Sequence, residues 1–454
     1  MQTPQDSIEQ ADTPWSLWVA VVLSVLAIVA QFTPWLGWSA LAFWVLVPGL
    51  LLVQALPATR VWAAGLVPAV SAAIVVLIST GLVWTTTGLD RPEYWQPRIG
   101  TVIVATICLG YAAIRLRSLR PHRFRLPALP TLPPWDGWAI TSLVLASAAL
   151  MLWLVTLPQI RVTDPDPYGL LLSDKWTFGA ALVAAVLGFL VALKRRHVPL
   201  LWTLVAITIL IQRGTGPLTL NAPWADWGYK HLGVIDLIAV SGRLHPGVDI
   251  YQAWPGFFAA IAWVSQSTGI AAFDIAVWFT VAITVATVFA LYALARVLKL
   301  GVAESLAAVM IALLANWVGQ DYFSPQAFGF LLAILVFALA LRAKQSRAAW
   351  ALAVVCFAAL TITHQLTPFW VVGALGVLCL FRRVPWLLMT ACAVLAIAQL
   401  LATGTPPAHT ASSPASTSWR TPRPRPPARP PAARSRCRWP PDAARPSRCG
   451  DSAA

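Results

Sequence analysis

Charge is what this chain has least of. Asp, Glu, Lys and Arg make up 11% of its 454 residues, against about a quarter in a soluble domain. Segments 61–84, 275–295 and 384–402 carry none at all. A run near 20 apolar residues is what a helix needs to cross about 30 Å of hydrocarbon. One such run reads as a buried core helix, but about a dozen in one chain do not. Cysteine is also thin. Cys108, Cys356, Cys379 and Cys392 lie inside apolar runs, where a thiol is a small hydrophobe, while Cys437 and Cys449 lie near the C-terminus. No pair has metal-ligand spacing, so no zinc module is indicated. Met1–Asp12 lacks both a basic n-region and a small-residue cleavage site, so the first span is expected to be retained.

What is present is hydrophobicity, 58% of residues, and a net charge of +15. That charge does not mark a nucleic-acid partner. Sixteen of the 32 Lys and Arg residues fall in short gaps: Arg60, the Arg115–Arg125 cluster, Lys194–Arg196, Arg296 with Lys299, Arg342–Arg347 and Arg382–Arg383. Nine more are Arg within the last 35 residues. Cations in short gaps orient spans by the positive-inside rule. Placing the gaps in the cytoplasm predicts an all-α, polytopic protein of the inner (plasma) membrane with about thirteen transmembrane helices. They fall at 16–32, 36–56, 61–84, 99–115, 138–157, 176–193, 198–212, 275–295, 302–318, 326–341, 348–363, 368–381 and 384–402. Residues 1–15 are then a cytoplasmic N-terminus, 16–197 hold six spans, and 198–402 form a second membrane unit with an extracytoplasmic loop at 213–274. The outer loops between spans then hold seven Lys or Arg and ten of the 17 acidic residues.

Trp254–Ile270 is apolar enough to be a fourteenth span, but counting it would put Arg296, Lys299, Arg342, Lys344, Arg347, Arg382 and Arg383 outside. It is expected instead to be an interfacial or re-entrant helix, with Trp254, Trp263 and Gln266 at headgroup depth. Residues 403–454 turn abruptly Pro- and Arg-rich without apolar periodicity and are expected to be disordered. Either they are a basic tail, or they are a shifted reading frame in GC-rich DNA that truncates a longer protein.

No predicted span carries an acidic or basic residue in its interior, which weakens an ion-coupled transporter. Ionisable groups gather at three outer places. In "NAPWADWGYKHLGVIDLIAVSGRLHPGVDIYQAWPGFF" (221–258), Leu232, Ile235 and Ile238 share a side of a short helix that Gly242 stops. Asp226 stands at its start and Lys230 four residues on, so Asp226 is either a cap paired to Lys230 or an available carboxylate. In "NWVGQDYFSPQAFGF" (316–330), Asp321 is flanked by Gln320, Tyr322 and Gln326, ahead of Ser324 and a helix opened by Pro325. In "TITHQLTPFW" (361–370), His364 and Gln365 end one span and Pro368 opens the next. Each has a plainer alternative: an aromatic anchor with a capping serine, or a solvated histidine. All three nevertheless share one face in the threading, and a cluster of that kind is a site candidate.

The order Asp226, Tyr229, the 230–241 helix, Gly242, Pro246, Tyr251, Pro255, Gly269 resembles the first outer loop of the GT-C superfamily, integral-membrane glycosyltransferases that use polyprenyl-phosphate-linked sugars. "DYFSPQAFGF" and "THQLTPF" are similar to segments of actinobacterial multi-span glycosyltransferases. The chain departs from the family in having a single acidic residue at Asp226 and six spans before the loop-bearing one. The resemblance implies sugar transfer from a lipid-phosphate donor to a cell-envelope acceptor, with Asp226 and Asp321 catalytic. It implies substrate-binding roles for Tyr229, Lys230, His231, Tyr251, Tyr322, Gln326, His364 and Gln365, and a divalent cation, if there is one, on Asp226 and Asp321. The competing class is non-enzymatic: a carrier, flippase-like or scaffold protein of envelope assembly. A surface-polysaccharide polymerase or ligase is a third.

Overall fold

A computed structural model describes residues 14–56, 64–118, 135–160, 176–223, 225–316 and 321–403. The expected disorder of the tail, the cytoplasmic N-terminus, Arg60, Arg120–Arg125 and Gln320 lie outside these residues. Everything regular among the described residues is helical. The order is α1 (Pro14–Ala30), α2 (Gly37–Val53), α3 (Val67–Gly88), α4 (Pro97–Ser118), α5 (Gly137–Thr156), α6 (Trp176–Lys194) and α7 (Val198–Leu220). It continues with α8 (Trp227–Ser241), α9 (Gly256–Thr268), α10 (Ala272–Val297), α11 (Val302–Ala315), α12 (Pro325–Ala340), α13 (Arg347–Thr361), α14 (Thr367–Leu380) and α15 (Trp386–Thr403). Among the described residues, eight helices of at least 18 residues, counting α2 with the turn at Pro34–Leu36 that leads into it, are long and apolar enough to cross a membrane. Five others (α1 and α11–α14) are apolar but shorter. Ile99, Ile103, Ile107 and Ile114 on α4, and Val394, Ile397 and Leu401 on α15, are exposed on the outside of the bundle. Apolar surface on that scale needs lipid rather than water against it. The chain is a helical membrane protein.

Two apolar cores meet at α10. One joins α5, α6, α7 and α11 around Trp153, Phe189, Leu204 and Leu306. The other joins α1–α4, α8, α9 and α12–α15. At the centre of the second lies α9, where Phe257 to Trp263 are all buried. Its 13 residues span about 20 Å at 1.5 Å each, close to the 14-residue α11 and α14, and burial rather than length sets it apart from them. Trp263, expected in an interfacial helix, is surrounded by protein: it is 1% exposed and edge-packed between Trp44 and Trp95, with centroids 6.0 and 5.8 Å away. A helix apolar on every side is a buried helix, and this one is enclosed by α2, α3, α4, α8, α10 and α12. Gln266 at its end accepts from Trp95 Nε1 at 2.7 Å. Gly256 at its start approaches the 362–363 turn so closely that a Cβ there would stand 2.7 Å from the Ile362 carbonyl oxygen.

Polar contacts sort into two groups at opposite helix ends. Asp136 before α5 pairs with Arg195 after α6, and Arg196 pairs with Glu304 in the first turn of α11 at 2.6 Å. Lys344 after α12 reaches the carbonyl of Arg382 after α14. At the other ends, Thr86 on α3 donates to the Gly242 carbonyl at 2.6 Å, and Arg243 pairs with Asp90 at 2.7 Å. There too, Gln399 near the end of α15 donates to the Ala253 carbonyl at 3.1 Å.

The seventh span differs from its expected limits. Instead of stopping at 212, the helix runs to Leu220 through a π-turn at Leu210–Gly214. That wider turn places Arg213 inside a membrane-length helix, so the expectation of charge-free span interiors is corrected at this position. Single π-turns of this kind commonly mark functional positions.

Candidate functional site

Helix α8 begins after Asp226 and ends at Gly242, whose φ of +64° lets its N–H turn back to the Ile238 carbonyl. Leu232, Ile235 and Ile238 are buried along one side. That burial rolls His231 inward and leaves Asp226, Tyr229 and Lys230 exposed. The turn after α8 is shaped by Asp249, whose carboxylate accepts from the Tyr251 N–H at 3.0 Å and pairs with Lys230 at 3.2 Å. The expected partnership of Lys230 with Asp226 is therefore corrected: the lysine turns to Asp249, with its ammonium 5.1 Å from the centre of the Tyr251 ring. Asp226 holds the cap position but makes no cap bond, and has no partner among the described residues.

Four segments close around one cavity of about 170 Å³. His231 comes from α8, and Ile250, Tyr251 and Trp254 from the turn beyond it. Tyr322, Ser324, Pro325 and Gln326 come from the start of α12, and Thr363, His364 and Gln365 from the link between α13 and α14. Local rules hold these walls in place. Ser324 caps α12 by accepting the Ala327 N–H at 3.2 Å, and proline opens both α12 and α14. Of the residues expected to bind substrate, His231, Tyr251, Tyr322, Gln326, His364 and Gln365 are together here. Tyr229 and Lys230 are not in the wall. Nor are the two carboxylates: Asp226 and Asp321, placed on one face with His364 by the threading, do not line this cavity with it.

The two histidines are held in opposite senses. His231 Nδ1 lies 2.7 Å from the Phe323 carbonyl oxygen, which can only accept, so Nδ1 carries the proton. His364 Nδ1 receives the Thr367 backbone N–H at 3.2 Å, which can only donate, so Nδ1 is bare there. Both rings are pushed below the ordinary histidine pKa, chiefly by burial. For His231 the Phe323 bond works against that shift, and the charges of Lys230 and Asp249 act in opposite directions. Tyr251 is pushed up, first by burial and then by Asp249 and Tyr322. The wall carries no acidic or basic side chain beyond the two imidazoles: aromatic faces, the amides of Gln326 and Gln365, and the four hydroxyls of Tyr251, Tyr322, Ser324 and Thr363.

Asp321 sits behind the wall. It is 7% exposed and paired with Arg213 at 2.5 Å, while Oδ1 has no partner among the described residues. Thr284 of α10 donates to Oδ2 at 3.4 Å. Burial raises its pKa and outweighs the lowering by Arg213. Sequence reasoning missed Arg213 and Asp249. For Asp249 a signal existed, since Asp two residues before a Tyr suits an Asx-type turn. The divalent cation expected on Asp226 and Asp321 does not fit: one carboxylate is committed to Arg213, and no cluster of three His, Cys, Asp or Glu groups exists among the described residues. Compared with known proteins, the chain matches no family model, no curated protein and no solved structure.

Proposed function

We propose that the chain is a glycosyltransferase of the plasma membrane that moves a sugar from a polyprenyl-phosphate carrier to an envelope acceptor on the extracytoplasmic face. Thirteen helices cross, the N-terminus is cytoplasmic, and the loop between Leu220 and Ala272 is outside. Supporting the order of crossings, segments assigned to the same side touch one another: Arg195 with Asp136 and Arg196 with Glu304 on one side, and Arg243 with Asp90 and Gln399 with the Ala253 carbonyl on the other; the inward direction rests on the basic gaps. The observation that carries the proposal is the cavity. Aromatic walls with amides and hydroxyls suit a sugar, whose ring has apolar C–H faces and a polar rim. A volume of about 170 Å³ lies below the roughly 300–1,000 Å³ of sites for drug-sized ligands, which suits one sugar and leaves the lipid outside.

In the reaction, the acceptor hydroxyl gives its proton to Asp226 as its oxygen bonds to the anomeric carbon. The bond from that carbon to the phosphate oxygen breaks, and its electron pair leaves with the lipid phosphate. Asp226 suits the role because it is exposed and uncommitted. It also lies one turn before Lys230 on the same helix face, and Lys230 lies over the Tyr251 ring of the cavity wall. Cells lacking the chain should accumulate a polyprenyl-phosphate sugar and lose a surface glycan, measured by mass spectrometry of extracted lipids. Unchanged lipid-linked sugars and glycans in those cells would exclude the proposed reaction.

A further inference from the structure

The cavity holds two imidazoles whose proton positions are dictated by their neighbours rather than left free. His231 spends its Nδ1 proton on the Phe323 carbonyl, so in the neutral ring Nε2 is an acceptor. His364 receives at Nδ1 from the Thr367 amide, and its contact with the Thr367 hydroxyl at 2.8 Å is consistent with this. Its neutral ring therefore carries the proton on Nε2. Neither Nε2 has a partner among the described residues, and both rings line the cavity. The wall consequently presents one fixed acceptor and one fixed donor.

On the sugar-handling role proposed above, we infer that this cavity selects an uncharged sugar, with one hydroxyl donating to His231 Nε2 and an oxygen accepting from His364 Nε2–H. A charged ligand is poorly served. No Lys or Arg lines the cavity to meet a phosphate or a uronic-acid carboxylate, and charge-assisted pairing is what makes such groups bind tightly. An amine-bearing sugar would likewise find no carboxylate in the wall. Burial keeps both rings neutral to lower pH than an exposed histidine, which preserves the donor–acceptor pair under ordinary conditions. Tyr322 stacks on His231 with 20° between the planes, and Tyr251 meets its edge, so the ring cannot rotate to exchange its nitrogens without disturbing both.

Substitution by Asn isolates the inference. Asparagine reaches only as far as Nδ1, so His231→Asn keeps a donor for Phe323 and His364→Asn keeps an acceptor for Thr367. Each removes the cavity-facing nitrogen with the outer part of the ring, and His231→Asn gives up the ring contacts with Tyr251 and Tyr322 as well. The full-length protein, purified in detergent with ¹⁵N-labelled histidine, is examined by NMR for tautomer state. It is then titrated with neutral methyl glycosides, glucuronic acid and inorganic phosphate. Opposite tautomers are expected, with at least one neutral glycoside shifting both Nε2 signals. Each Asn variant is expected to bind that glycoside about tenfold more weakly or worse, with its melting temperature within a few degrees of the parent. Like tautomers, undiminished binding by the Asn variants, glucuronate or phosphate binding as tightly as the best glycoside, or no glycoside binding at all would each overturn the inference. Glycoside binding as expected, together with unaltered lipid-linked sugars in cells lacking the chain, would uphold the cavity's selectivity while removing the transferase role.

Discussion

Asp226→Asn should reduce sugar transfer by about 10²- to 10⁴-fold, the usual worth of a positioned general base, and leave the fold intact. The structure separates the two effects. Asp226 is exposed, makes no side-chain bond to the first turn of α8, and leaves Lys230 to Asp249. With no cap bond to lose, the amide should cost no more than about 0.5 kcal/mol, as at other uncommitted surface sites. Transfer is read in membranes from a strain whose only copy carries the variant, and stability as the melting temperature of the purified protein. A variant with parental transfer would remove Asp226 from the chemistry. The cavity would then have to supply the proton acceptor, and His231 Nε2 is the group in its wall able to do so.

Arg213→Met should be the most destabilising single change at the site, by about 3–5 kcal/mol, because it strands a buried carboxylate. Asp321 is 7% exposed and already has one oxygen without a partner. Changing both residues, Arg213→Met with Asp321→Asn, removes both charges and should recover most of the loss. The pH dependence has a definite sign. Burial already holds Asp321 above the ordinary carboxylate pKa, and Arg213 is the charge that opposes it. Without Arg213 the group should titrate higher still. An acid whose folded pKa exceeds its unfolded value binds more protons when folded, so stability falls as pH rises through that window. The Arg213→Met protein should therefore regain stability on acidification, over a wider range than the parent. Chemical denaturation in detergent across the acid range checks this, and a variant insensitive to acidification would show that Asp321 is not the stranded charge.

Much of the helical order was legible in the sequence because its signals are local. Ser324-Pro325, Pro368, Gly242 and Gly269 are start and stop residues whose chemistry works within one turn, and helices begin or end at each of them. The segments that supply the cavity were legible for a similar reason. Polar and aromatic residues between apolar runs stand out, and six of those expected to bind substrate meet around it. What stayed hidden depends on contacts distant in sequence. Nothing in "TILIQRGTGPL" reveals a π-turn, so Arg213 reads as the first loop residue. Lys230 has Asp226 at helical spacing, and only the folded turn at 249 offers it a better partner. The burial of α9 was open to inference, since Phe257, Phe258, Ile261 and Trp263 leave it no polar face. Its apolar surface alone does not say whether protein or lipid covers it.

Filling the cavity chemically tests its role most directly. Gln326 lies in the wall and is exposed, whereas the native Cys108, Cys356, Cys379 and Cys392 are buried. In a chain with Cys437 and Cys449 changed to Ser, Gln326→Cys should react with a membrane-impermeant maleimide in intact cells. Gln345→Cys, exposed beyond the opposite end of α12, should react only after the membrane is opened. Sugar transfer is then measured as a function of the fraction of Gln326→Cys modified. Transfer should fall in proportion, to about 1% or less at full modification given the roughly 10²-fold or larger contribution of a positioned catalytic site. Complete modification with undiminished transfer, or labelling of Gln345→Cys from outside, would contradict an outward-facing sugar site in this cavity.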